Sequence, residues 1–379
     1  MRVLAIVLAA LCILIILQDS FETIVLPRRV SRKFRLARLF YTFTWVPWRA
    51  IGRKMRPGNR REYFLSLYGP LSLILLLILW GNILIFAFAS LQWGLGSNLT
   101  SSGEAPTFFT DMYMSGTTFI TLGLGDVVPH PGLPRLFTVL EASMGFGLLA
   151  LIIGYVPVIY QAFSRREASI SLLDARAGSP PSATELLRRH YRGKEASELI
   201  QYLRDWERWC AELLESHLSY SVLAYYRSQH ERQSWLGAVT TLMDVCALIM
   251  VGIDGVPVKP AKFIFAMARH TTVDLAQVFG VPPVPKTQSN RLPPADIVRL
   301  RETLAASGIM LNDGEITEKR LAQLRGMYEP FVSALADYLL VPLPAWVMTG
   351  EVVDDWQTSA WDHFLESSPR TIDRAIRPE

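Results

Sequence analysis

The sequence predicts an all-α membrane protein: three transmembrane helices, a short re-entrant helix between the second and third, and a helical C-terminal domain. Three observations carry that prediction. Half of the 379 residues are hydrophobic and the mean hydropathy is +0.24, too apolar for an ordinary soluble chain. Apolar runs stand at residues 3–17, continuing after 18–22 into 23–26, and at 71–91 and 136–160, the last two long enough to cross a membrane. Residues 165–379 are instead soluble in pattern, with 24 basic and 27 acidic residues and no alternating strand pattern of any length.

The first element covers residues 1–26. Arg2 followed by 15 apolar residues resembles a secretory signal peptide, but Gln18-Asp19-Ser20 lacks the small-residue cleavage pattern. Cleavage would also leave the arginine-rich segment that follows outside, against the positive-inside tendency. The expectation is an uncleaved span. Asp19 and Glu22 then sit at its inner end, either paired with neighbouring arginines or simply wet if the apolar core stops at Leu17.

Residues 27–64 form a basic linker. Between Pro27 and Arg61 stand 12 Lys/Arg and no Asp/Glu, and the rest of the chain holds 26 basic against 34 acidic residues. The net charge of +4 is therefore local. Phe40, Tyr41, Phe43, Trp45 and Trp48 are interleaved with the basic side chains, as in a segment lying on an anionic inner leaflet. Nucleic-acid binding uses the same residue types; the tie between two spans favours the membrane. Orientation follows: the N-terminus faces out, 71–91 runs outward, 136–160 runs inward, and everything after Ser164 is cytoplasmic. The expected location is the cell (inner) membrane, multi-pass.

The third element, 65–164, holds the chemistry. Residues 71–91 are 21 in number and uncharged, enough for roughly 30 Å of hydrocarbon; Trp80 and Trp93 lie along and just beyond them. Residues 107–119 are largely apolar and of helical length, after Gly103-Glu104-Ala105-Pro106 as a start signal. T-L-G-L-G-D follows at 121–126, and a helix at 135–163 returns the chain inward. An apolar helix too short to cross, followed by glycine-rich extended chain, describes a re-entrant loop, tolerated only where it is buried or lines water. Carbonyls of Thr121, Leu122, Gly123 and Leu124, gathered from several chains, could replace a cation's water shell, with the Thr121 hydroxyl adding a further ring. Gly123 and Gly125 permit the alternating angles that keep successive carbonyls in one direction. The C-terminal end of helix 107–119 adds partial negative charge. Asp126 either adds charge at the outer mouth or anchors the loop by a hydrogen bond. Glu141 faces either the back of the short helix or water.

T-L-G-L-G-D resembles the T-V-G-Y-G-D signature of potassium channels, and the span–short helix–filter–span frame around it is similar too. Thr117-Thr118 before it and Asp126-Val127-Val128-Pro129 after it resemble the flanks of two-pore-domain channels. The resemblance covers roughly residues 65–165. It implies a passive K⁺-selective channel with Thr121, Leu122, Gly123, Leu124 and Gly125 as filter, K⁺ as permeant ion, and no cofactor or catalysis. One motif per chain implies a homotetramer. Gly145 falls where such inner helices carry a hinge glycine, and Gly154 and Pro157 fall near the gate. Leu124 departs from the usual aromatic, so a weakly selective monovalent-cation pore stays open as an alternative. A membrane-anchored signalling or scaffold protein with a degenerate pore stays open too. The first span lacks the regular arginines of a voltage sensor.

In the cytoplasmic domain, 165–379, Gly178-Ser179-Pro180-Pro181 breaks the chain and Ser182-x-x-Glu185 offers a capping box. Leu199, Leu203, Trp206, Cys210, Leu213 and His217 follow helical spacing, and helix is expected to resume over 219–251. Residues 281–294 are proline-rich and precede a last helical portion. Residues 236–253 are apolar enough to suggest a fourth span, but Asp244 within them favours a buried helix of the bundle. The histidines and three cysteines have no metal-ligand spacing. A cytoplasmic ligand or partner is possible, and nothing in the residues names one.

Overall fold

The computed structural model describes residues 2–26, 35–101, 105–191, 196–230 and 232–348. The chain is mostly helical and divides into two compact units, residues 1–50 with 66–161, and residues 51–65 with 162–379. Among the described residues, four helices are long and apolar enough to cross a membrane: residues 2–25, 59–94, 133–177 and 235–252.

In the first unit, α1 (Arg2–Ser20) packs along α4 (Tyr68–Gly94). Ala9, Ile13 and Ile16 interlock with Leu76, Trp80, Leu84 and Phe88 in one buried cluster. The pair is antiparallel: a Cβ on Gly94, at the end of α4, would stand 2.6 Å from Ile6 near the start of α1. Past α1, residues Phe21–Val25 wind as a π-helix. The acids at this end are not wet. Asp19 is buried, and its Oδ2 accepts from the Ala37 amide and the Trp80 indole, both at 3.0 Å. It thereby caps the start of α2 (Leu36–Lys54) and ties it to α4. Glu22 lies 3.6 Å from Arg35 and accepts from Gln18. On α2, Trp45 packs on Tyr68 at 4.7 Å while Leu39, Phe43 and Val46 remain exposed. The basic residues 28–33 lie outside the described residues.

After α4, β1 (Leu99–Ser101) pairs antiparallel with β2 (Val127–Pro129), Thr100 opposite Val128. These strands of three residues are too short to leave an alternating pattern. Between them runs α5 (Phe108–Phe119), one residue from the predicted start; Gly103 and Glu104 of the start signal lie outside the described residues. Then α6 (Leu133–Ala177) runs for 45 residues, well beyond the predicted end near 163. Residues 164–177 hold no glycine or proline, and Ile170, Leu173 and Ala177 are buried, so helix continues until Gly178 at φ +86°.

The second unit takes α6 from residue 162. It includes the end of α2 and α3 (Asn59–Ser66), a division that differs from the single linker read from the sequence. Arg53 donates to Asp337 at 2.7 Å, and Glu62 lies 3.4 Å from Arg227. The bundle comprises α7 (Ala183–His190), α8 (Ser197–Ser219), α9 (Trp235–Gly252), α10 (Val258–Phe279), α11 (Pro294–Ala306), α12 (Glu315–Arg325) and α13 (Glu329–Leu339). Ser182 caps α7 through the Glu185 amide, as its spacing predicts. The helix expected over 219–251 is interrupted: a 3₁₀ turn (Ser221–Tyr225) and irregular chain precede Ser234, which caps α9. Residues 235–249 are buried throughout, with α7, α8, α10, α12 and α13 around them. Asp244 is matched inside that apolar helix by a bidentate Arg291, at 3.1 and 2.7 Å, and by the Tyr328 hydroxyl.

Two arginines of α6 make the same contact twice in this unit. Arg166 Nη1 lies 3.2 Å from His217 Nε2, and Arg176 Nη1 lies 3.2 Å from His190 Nε2. Each histidine's Nδ1 faces a carbonyl four residues earlier on its own helix, Leu213 at 2.9 Å and Leu186 at 3.0 Å. A carbonyl only accepts, so Nδ1 carries the proton and the bare Nε2 receives the guanidinium. Arg166, itself buried, also donates to the Leu223 and Tyr226 carbonyls and to Glu167.

Candidate functional site

The segment 117–130 is positioned by α5 and by the start of α6. The last turn of α5 does not simply stop. Its Thr118 carbonyl accepts from Thr121 at 3.0 Å, and its Thr117 carbonyl accepts from both Leu122 at 2.8 Å and Gly123 at 3.3 Å. The glycine-rich strand is thus tethered to the helix that precedes it.

Its backbone alternates. Thr121, Gly123 and Gly125 have φ of +59°, +57° and +78°, whereas Leu122 and Leu124 between them do not enter the left-handed region. A left-handed residue at every second position permits successive carbonyls to share one direction, the property expected of Gly123 and Gly125. Thr121 is the surprise, because a β-branched residue pays about 1–2 kcal/mol for that conformation. Such local strain persists only where surrounding bonds enforce it. Residues 120–126 are exposed, with Leu122 at 56 % and Leu124 at 59 %.

The end of the segment at Asp126 is pinned. The Tyr113 hydroxyl donates to Asp126 Oδ2 at 2.9 Å, so Asp126 has the hydrogen bond that its sequence position left as one of two options. Sequence reasoning did not find Tyr113; its sole signal was an aromatic hydroxyl on the apolar helix before the motif. The β1–β2 pairing and the His130 amide on the Asn98 carbonyl, at 2.9 Å, continue the anchoring. Ser97 holds Asp111 at 2.6 Å, and Gln92 donates to the Pro134 carbonyl at 3.1 Å.

Behind α5, Glu141 is fully buried against Ser115, the first of its two alternatives. Gly145 sits where α6 meets the end of α5: a Cβ there would overlap the Phe119 carbonyl and stand 3.2 Å from Phe119 Cα. Close packing accounts for this glycine whether or not the helix bends there. Gly154 has open space where a Cβ would go, and Pro157 lies inside the continuous helix. Next to this contact stripe, α6 exposes Phe146, Leu149, Ile153, Val156 and Tyr160.

In the second unit, no group of three or more His, Cys, Asp or Glu among the described residues could hold a metal. His270 and Asp274 lie 3.6 Å apart on α10. Trp206, Trp209, Trp235 and Trp346 are buried in the bundle; Trp356 and Trp361 lie outside the described residues. A groove of about 520 Å³ between α6 and α8 is lined by Arg176, Glu198, Tyr202, Asp205, Trp206 and Trp209, among others.

Comparison with known proteins covers part of the chain. An uncharacterized membrane protein of Bacillus subtilis (strain 168), YdjJ, is 25 % identical over 191 residues, 50 % of this chain and 55 % of that protein. The match thus covers about half of each. No solved structure matches. Residues 72–161, from α4 through α5 and the T-L-G-L-G-D segment into α6, match the family model described as "Ion channel", so this chain carries an ion-channel domain, consistent with the potassium-channel pore-loop superfamily.

Proposed function

We propose that this protein is a passive, potassium-selective channel whose filter is the backbone of Thr121, Leu122, Gly123, Leu124 and Gly125. The alternating left-handed angles at 121, 123 and 125 carry the reading. They are what a chain needs to present carbonyl after carbonyl to an ion shedding its water. One filter strand per chain calls for a homotetramer, in which other copies cover the exposed filter and part of the exposed face of α6.

The membrane reading has three spans: residues 2–25, α4 and the first part of α6. In the fourth apolar helix, α9, 89 % of the residues are buried, which supports a soluble bundle. The N-terminus then faces out and the bundle lies in the cytoplasm, in a protein of the inner membrane. The basic residues of 27–61 and the exposed Leu39, Phe43 and Val46 of α2 rest on the anionic inner leaflet. Gly145, Gly154 and Pro157 are the positions about which α6 opens and closes. No cofactor and no catalytic role are assigned. The groove between α6 and α8 is the place for a cytoplasmic ligand.

A second reading, a weakly selective monovalent-cation pore, is favoured by one observation. Leu124 supplies no aromatic ring behind the filter. Flux from liposomes with K⁺ or Na⁺ as the only permeant cation separates the readings. K⁺-selective flux that disappears in Gly123→Ala supports the filter. Equal fluxes, made selective by Leu124→Tyr, support the second reading. Absence of flux for either ion from an intact tetramer favours a membrane-anchored scaffold.

A further inference from the structure

Behind α5 lies a polar pair that the ion pathway does not use. Glu141 Oε1 is within hydrogen-bond reach of Ser115 Oγ, and Glu141 Oε2 has no partner among the described residues. Ser115 Oγ also lies 2.8 Å from the Ile85 carbonyl oxygen of α4. The protons can be counted. A serine hydroxyl owns one, and a carbonyl owns none. Both contacts are hydrogen bonds at once only if Ser115 donates to Ile85 and Glu141, as a neutral carboxylic acid, donates to Ser115. An ionised carboxylate with one buried oxygen unpartnered is the costlier arrangement. Asp111, one turn before Ser115 on α5, is held separately by Ser97.

The pair connects to the strand in two steps. Ser115 precedes Thr117 by two residues, and the Thr117 carbonyl accepts the amides of Leu122 and Gly123. One turn further along both helices, Gly145 meets Phe119. Contacts 115–141 and 119–145 are separated by four residues on each helix, so α6 registers α5 at two successive turns.

We infer that Glu141 is a positioning residue for ion selectivity. Acting as a neutral hydrogen-bond donor to Ser115, it locks α5 between α4 and α6 and so holds the width of the filter that α5 carries. The inference rests on the reading of 121–125 as a K⁺ filter.

The test uses the full-length protein in liposomes, comparing K⁺ with Na⁺ flux for wild type, Glu141→Gln, Glu141→Ala and Ser115→Ala. Glu141→Gln keeps a donor of the same shape and retains the wild-type ratio. Glu141→Ala and Ser115→Ala lower the ratio about tenfold, the effect of one buried partner left unsatisfied. A wild-type ratio in Glu141→Ala overturns the inference, as does a Glu141→Gln as unselective as the alanine variant. A wild type that conducts K⁺ and Na⁺ equally overturns the filter reading itself. Melting in K⁺ against Na⁺ gives a second readout that a shut gate does not silence. Wild type and Glu141→Gln are stabilised by K⁺ and Ser115→Ala is not, and full K⁺ stabilisation of Ser115→Ala refutes the coupling even if Glu141→Ala fails to fold.

Discussion

Gly145→Ala offers the sharpest test of how α6 packs. Placed in an open stretch of helix, the added methyl stabilises by about 1 kcal/mol. At Gly145 it overlaps the Phe119 carbonyl and comes within 3.2 Å of Phe119 Cα. Both neighbours are backbone, in the last turn of α5, so no flexible side chain can swing aside. Relief requires the two helices to separate, and overpacking of this kind costs about 1–3 kcal/mol. With the upper half of that range set against the propensity gain, the net loss is about 1–2 kcal/mol. Gly147, half a turn away on the same helix, has nothing within 4 Å of its Cβ position. Gly147→Ala should therefore be neutral or stabilising within the same chain. Unfolding of the two detergent-solubilised variants, followed by circular dichroism, reads the difference. A Gly145→Ala as stable as Gly147→Ala would refute the claim that this glycine exists to let the helices touch.

Tyr113→Phe removes the 2.9 Å bond to the exposed Asp126 and should lower the K⁺-over-Na⁺ flux ratio while leaving the melting temperature near that of wild type. Asp19→Ala removes a helix cap worth about 1 kcal/mol and strands the Trp80 indole; hydrogen exchange at the start of α2 should accelerate while α4 stays protected. Arg166→Met breaks a buried cation's bonds to two carbonyls, Glu167 and His217, costing about 3–5 kcal/mol of melting stability. Burial, and then the Arg166 charge, hold the His217 imidazole well below its ordinary pKa. The unfolded imidazole takes up a proton below about pH 6.5 and the folded one does not, so stability falls as pH drops through that value, by about 1.4 kcal/mol per unit. Burial and Arg176 lower His190 in the same direction. His217→Gln should flatten the slope; an unchanged slope would sink the assignment.

What the sequence showed was what short spacing encodes. The α5 helix, the alternating strand and the Ser182 cap each depend on neighbours within a few residues, and glycine advertises its own conformation. Gly178 marked the end of α6, but the helix-compatible run before it concealed how far the helix would reach. The same limit hid Thr121, whose left-handed angle is imposed by bonds to Thr117 and Thr118 that no β-branched residue announces. Partners far apart in the chain were invisible. Asp19 and Trp80 are 61 residues apart, Ser115 and Glu141 are 26 apart, and each is ordinary in its own surroundings. Asp244 was readable as buried, but Arg291 sits in a proline-rich stretch that periodicity does not address.

The second unit is discontinuous in the chain, and that has a practical bearing on taking the protein apart. A piece beginning at residue 162 would keep Arg166 and Arg176 with their histidines but lose α3 and the end of α2. Arg227 would then lack Glu62, Asp337 would lack Arg53, and Leu340 would lose the close approach of Gly52. One wall of the bundle would be missing, so a ligand screen on such a piece would return negatives of no meaning. A single cut cannot liberate this unit. Residues 51–65 have to be supplied together with 162 onward for both strands of its wiring to be kept.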